Sequence, residues 1–202
     1  MLLLKKHTEL LECGTDEAGR GCLAGPVTAA AVLLPDDFHH PLLNDSKKLS
    51  ERNRNMLREV IEKEAISYQV THVYMDEILK INILNASITA MQRSIILLKP
   101  TPEFILVDGN RFKPVADIPF ECIVKGDGKY LNIAAASILA KTSRDNFMAK
   151  IDAEFPMYDW KKNKGYPTKA HRQAIREHGI TKYHRTGFKL LPEQYTLKLN
   201  TK

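Results

Sequence analysis

The chain has 202 residues, 44% of them hydrophobic, and a formal net charge of +6. That length suits one domain with a real core, and no apolar run is long enough to span a bilayer as a helix. The leader MLLLKKHTE puts its charges after its apolar residues, the reverse of a secretory signal, and Cys13, Cys22 and Cys122 are odd in number without zinc spacing, so a cytoplasmic protein with reduced thiols is expected.

In chain order, 10–15 and 27–34 read as strands, short and rich in Val, Leu and Ala. Overlapping the first of them runs LECGTDEAGRGCLAGPV, Leu11 to Val27, where a short apolar segment meets two adjacent carboxylates, Asp16 and Glu17. Side chains alternate faces along a regular strand, so if both acids serve one site the strand must end there, and Gly19 permits the turn. Carboxylates at a strand end suit a hard cation such as magnesium or manganese. The glycines flanking Arg20 let backbone approach a sugar-phosphate chain closely. Metal beside phosphate points to phosphodiester cleavage.

Ser50 reads as the N-cap of a helix through about Glu64, followed by a strand over 66–75. Asn82 to Leu98 is apolar at helical spacing. FILVD, 104–108, is a strand closed by Asp108 and broken by Gly109. A strand at 120–124 leads into KGDGKY, where Asp127 sits between glycines. Asp108 reads equally as a turn-former, and Gly-Asp-Gly is ordinary turn chemistry. A long helix runs from Leu131 to Phe155, stopped by Pro156. Thr168 caps another helix through His178, closed by Gly179. The segment from Pro192 reads as a short helix or a loose tail. Residues 161–202 hold eleven Lys or Arg against two acids, Glu177 and Glu193. A basic end beside an acidic body fits a protein that grips phosphate with one part and metal with another. A mixed α/β sheet with helices packed on it and a small helical C-terminal portion follows, as a single domain over 1–202.

Taken together, DEAGRG, LVDGN, KGD, IAAASILAKTSRD and KGYPTKAH, in that order from about residue 12 to 188, resemble the ribonuclease HII family. The resemblance implies an RNase H-like fold and endonucleolytic cleavage of RNA in RNA–DNA duplexes. It also implies incision 5′ of a single ribonucleotide embedded in DNA, leaving 3′-hydroxyl and 5′-phosphate ends, in support of ribonucleotide removal and DNA replication or repair. On the matching positions, Asp16, Glu17 and Asp108 would hold Mn2+ or Mg2+, Asp127 would complete the catalytic acids, and water would attack in line with two ions assisting. Gly19, Arg20 and Gly21 would read the 2′-hydroxyl, and Tyr166 would pack on the deoxyribose that follows it. Lys47, Lys48, Lys141 and Arg144 look placed for phosphate contacts. For Arg144 an ion pair with Asp145 or another element is the plainer reading. His171 and His184 would touch phosphate or cap loops.

The related ribonuclease HIII carries an extra N-terminal domain, for which the fifteen residues before Asp16 leave no room. The tail LLPEQYTLKLNTK lacks paired aromatics, so no clamp-binding peptide is expected, and a monomer is the default. Two rivals stand beside this reading: a DNA junction nuclease of the same superfamily, and a hybrid-binding module with a dead site.

Overall fold

The computed structural model describes residues 2–43 and 49–193. Lys47, Lys48 and the tail from residue 194 lie outside them.

Five strands form one mixed sheet in the order β3-β2-β1-β4-β5. They are β1 (Glu12–Ala18), β2 (Val27–Leu33), β3 (Ser67–Val73), β4 (Phe104–Asp108) and β5 (Phe120–Ile123). The first three pair antiparallel, and β4 joins β1 in parallel with Thr15 opposite Val107. β5 then pairs parallel to β4, with Asp108 opposite Ile123. The β1–β4 register sets the end of β4, at Asp108, beside Asp16 and Glu17. The carboxyl ends of parallel strands are where open α/β sheets place their sites.

Among the described residues five α-helices accompany the sheet: α1 (Glu51–Glu64), α2 (Met75–Ile96), α3 (Leu131–Glu154), α4 (Trp160–Asn163) and α5 (Lys169–His178). Two caps fall where the sequence places them. The Ser50 hydroxyl accepts from Asn53 N at 3.2 Å and the Thr168 hydroxyl from His171 N at 3.1 Å, each satisfying an amide that the helix start leaves orphaned.

Helix α2 differs from expectation. It begins at Met75 and contains Asn82 at φ 64 and ψ 165, outside helical space. Asn82 is therefore the cap of a second segment, its Oδ1 accepting from Asn85 N at 3.1 Å. The sequence reading found that second segment and missed the first, whose Met75 it assigned to the preceding strand.

α2 covers one face of the sheet, burying Ala86, Ala90, Met91 and Ile95 against Val27, Ala29 and Ile105. α3 and α1 cover the other, where Leu57 and Ile61 meet Ala134, Ile138 and Leu139. The alanine run of α3 lets it approach β1 very closely. A Cβ on Gly14 would lie 2.3 Å from the backbone at Asn132 and Ile133. Close packing of this kind fixes the height of α3 over the acids. A third apolar cluster joins Leu23, Met148, Trp160 and Ile175. It ties the C-terminal helices to the segment after β1. No helix among the described residues is long and apolar enough to cross a membrane.

Candidate active site

β1 runs through Ala18, so it does not end at the paired acids as a shared site seemed to require. Asp16 and Glu17 therefore sit on opposite faces of one strand. Asp16 is buried on the α3 side, where it receives hydrogen bonds from Ser137 and from Glu17 N, the latter at 2.7 Å. Glu17 points to the α2 side and accepts from Arg20 Nη1 at 3.1 Å. It lines a cleft of about 140 Å3 together with Arg20, Ser87, Asp108, Asn110 and Arg111.

Burial raises the Asp16 carboxyl well above the usual carboxylate range, and the charges of Glu17 and Asp108 raise it further. Glu17 is also raised by burial, opposed by Arg20 and reinforced by Asp108. Asp108 thus acts on both members of the pair from the end of the adjacent strand. Its Oδ1 accepts from Gly126 N at 2.6 Å. That bond pins the Gly126–Gly128 turn to β4, with Asp127 buried in the same turn.

Among the described residues, no three Asp, Glu, His or Cys side chains close into a ready-made metal cage. The donor set still fits a hard divalent cation. Asp16, Glu17 and Asp108 lie close enough on neighbouring strands for their charges to act on one another, and that repulsion, with the desolvation, is what a cation would relieve.

The Gly-Arg-Gly turn lies just beyond. Gly19 has φ +93, and a Cβ there would meet Arg144 Nε at 2.0 Å, so the fold itself demands this glycine. Gly21 differs, being exposed with nothing within 4 Å of where a Cβ would stand. The Tyr166 loop packs on the continuation of this turn. Leu23 N donates to Gly165 O at 2.8 Å, and a Cβ on Gly165 would lie 2.6 Å from Ala24 O. Tyr166 is 45% exposed, and burial raises its phenol pKa. The structure thus brings Gly19–Gly21 and Tyr166 together across more than a hundred residues of chain.

The expected phosphate contact of Arg144 needs correction, and for His171 the loop alternative holds over phosphate. Arg144 is buried, and it donates to Pro26 O at 2.9 Å, Lys164 O at 2.8 Å and Ala24 O at 3.0 Å. Its guanidinium joins loops, leaving neither a phosphate contact nor an ion pair with Asp145 as its main role. His171 is fully buried. Its Nδ1 donates to Tyr166 O at 2.9 Å and its Nε2 accepts from Trp160 Nε1 at 2.9 Å, so it anchors the tyrosine loop from behind. Charge patterning shows polarity but not depth. Lys141 keeps a partly exposed ammonium 3.8 Å from Asp145 Oδ2, and burial lowers its pKa.

Ser137 and Arg185 were missed. Ser137 carried a signal, as a lone hydroxyl in the run IAAASILA. Arg185 carried none.

A five-stranded mixed sheet with acids among the last residues of β1 before its turn and at the end of β4, and helices on both faces, defines an RNase H-like nuclease. Solved structures agree on the fold. The complex of PCNA with RNase HII from Archaeoglobus fulgidus gives TM-score 0.77 at 27% identity, over 93% of this chain and 99% of that one. Ribonuclease H2 from Pyrococcus horikoshii gives TM-score 0.75 at 21% identity, over 94% and 99%. The profile of the family "Ribonuclease HII" matches residues 13–191. Ribonuclease HII of Christiangramia forsetii is 66% identical over 93% of this chain and 95% of its own length. That of Parabacteroides distasonis is 62% identical over 98% and 99%. The chain belongs to the ribonuclease HII family, metal-dependent endoribonucleases that cut the RNA strand of RNA–DNA hybrids.

Proposed function

We propose that this chain incises duplex DNA on the 5′ side of single embedded ribonucleotides as well as cutting longer hybrids, leaving 3′-hydroxyl and 5′-phosphate ends. Such incision would support ribonucleotide removal during DNA replication and repair. The observation that carries the reading is the joining of the Gly-Arg-Gly turn to the Tyr166 loop, hard against Asp16 and Glu17. A 2′-hydroxyl on one nucleotide and a deoxyribose on the next are then read side by side, next to the acids that act on the intervening phosphate.

Asp16, Glu17 and Asp108 are the proposed ligands, with Asp127 completing the acidic set. Manganese or magnesium, two ions when loaded, would supply charge neutralisation for an in-line displacement by water. A structural neighbour, RNase HIII at 15% identity, is described in complex with Mn2+. The chain's own contribution is placement. Ser137 and the Glu17 amide orient Asp16, Gly126 N holds Asp108, and Arg20 restrains Glu17 on the open side. Gly19–Gly21 would meet the 2′-hydroxyl with backbone groups, and Tyr166 would pack on the following sugar. Lys141, and Lys47 and Lys48 outside the described residues, are proposed phosphate contacts, whose affinity would fall with salt and carry no sequence choice. The protein is expected to act as a cytoplasmic monomer.

Replacing Asp16 with Asn should abolish incision, by about 100-fold or more as expected for loss of electrostatic stabilisation at the reacting phosphate. Binding to the same duplex should persist. A folded variant that loses binding and cleavage in parallel would overturn the assignment.

A further inference from the structure

Arg185 is the least explained charge in the molecule. It is 2% exposed, and no carboxylate pairs with it among the described residues. Its Nε donates to Gly25 O at 2.9 Å and its Nη1 to Arg20 O at 3.0 Å. Its Nη2 finds no acceptor among the described residues. Phe188 lies under the guanidinium, 5.3 Å from ring centroid to Cζ. Burial and the like charge of Arg144 pull its pKa down to about 10, so it stays protonated at neutral pH. A buried cation with one nitrogen unpaired is a costly way to brace a loop. What the guanidinium supplies that an apolar side chain of similar volume could not is a pair of charged donors fixed on two backbone carbonyls.

Its role follows from which carbonyl it holds. Arg20 O and Gly21 N–H belong to one peptide unit. The unit is planar and trans, so oxygen and hydrogen point in opposite directions. With the oxygen drawn inward to Arg185, the Gly21 N–H faces outward, and both Arg20 and Gly21 are exposed. A charged donor on the carbonyl also polarises the amide and strengthens its N–H as a donor. No acceptor takes the Gly21 N–H among the described residues, which leaves it open to a ligand atom.

We propose that Arg185 is a specificity-determining positioning residue: it fixes the Arg20–Gly21 peptide so that the Gly21 N–H donates to the ribose 2′-oxygen of the substrate. A deoxyribose has no atom there to accept. The inference rests on the reading of the Gly-Arg-Gly turn given above. It adds the residue behind the turn and the direction of the hydrogen bond.

The test compares wild type with Arg185→Met and Arg185→Lys. The measurements are kcat/KM for incision at a single ribonucleotide, Kd for the all-deoxy duplex of the same sequence, and thermal stability. In Arg185→Met, kcat/KM should fall about tenfold or more, the scale of one lost hydrogen bond with its polarisation. Kd for the all-deoxy duplex should stay unchanged. Lysine restores the charge without the fork that spans two carbonyls, so Arg185→Lys should recover part of the loss. A folded Arg185→Met protein with wild-type kcat/KM, or with equal losses on both duplexes, overturns the proposal.

Should Arg185→Met not fold, the wild-type Gly21 amide decides. Its proton resonance should move downfield with the single-ribonucleotide duplex and stay in place with the all-deoxy duplex. Equal responses overturn the inference while incision, if present, preserves the broader function. A wild type that does not incise at ribonucleotides defeats the broader function instead.

Discussion

At the scale of single residues, the two glycines around Arg20 do different work. Gly19 sits at positive φ with Arg144 packed against its Cα. Gly19→Ala should therefore destabilise the fold, by about 2 kcal/mol or more, because both the strained backbone and the clash must be relieved. Gly21→Ala meets no neighbour. It should leave the thermal midpoint nearly unchanged and reduce incision at ribonucleotides, which thermal scans and kinetics on the two proteins would separate. Equal stability loss in both would contradict the division. Sequence reading treated the pair alike because identity alone does not reveal what lies behind a Cα. The same blindness put Arg144 on phosphate and left His171 between phosphate and a loop: both are polar in sequence and buried in space. The acids were more legible, since Asp16 and Asp108 each lie at the end of an apolar run with glycine close behind.

At the scale of elements, caps and breakers carried most of the information. Ser50, Thr168, Pro156 and Gly179 mark helix ends by local chemistry that no tertiary contact needs to supply. The first half of α2 was hidden because its start, Tyr74, makes no side-chain cap bond and follows a strand without a glycine or proline between them. The C-terminal elements offer a pH test. His184 is held neutral, burial and then His171 bringing its pKa down to about 4. Its Nδ1 accepts from Thr181 N at 2.9 Å, a bond that protonation would break. The unfolded histidine titrates near 6.5, so this contribution is complete above that value and is lost as pH falls towards 4. It amounts to about 3 kcal/mol at most. The stability advantage of wild type over His184→Gln should shrink between pH 6.5 and 5. An advantage constant across that window would show that His184 does not titrate this way.

At the scale of the whole molecule, the site is assembled from segments that no local pattern links. The parallel pairing of β1 with β4 sets Asp108 beside Asp16, and the Leu23–Gly165 bond joins the Tyr166 loop to the segment that follows Gly21. Composition and periodicity do not reveal such neighbours, because long-range pairing leaves no trace in either. The assembled acids are a liability without a cation. Asp16 and Glu17 have raised pKa values, so their charged forms are penalised in the fold from about pH 4 upward, and the penalty is fully present above their folded pKa values. Divalent metal should relieve it. At a hundredfold excess over Kd, manganese or magnesium should add about 2.7 kcal/mol, or roughly 5–10 °C in Tm for a chain of this size. Asp16→Asn should show a smaller gain, and an identical gain in both proteins would place the metal elsewhere.

The central claim is that recognition of a 2′-hydroxyl and cleavage beside it occur in one metal-dependent site. It is tested most directly by incubating the protein with a DNA duplex carrying one ribonucleotide, with manganese or magnesium and then with excess chelator. The expected result is a single cut on the 5′ side of the ribonucleotide, leaving a 3′-hydroxyl, abolished by chelator and absent from the all-deoxy duplex. No cut beside the ribonucleotide, or equal cutting of both duplexes, would contradict it.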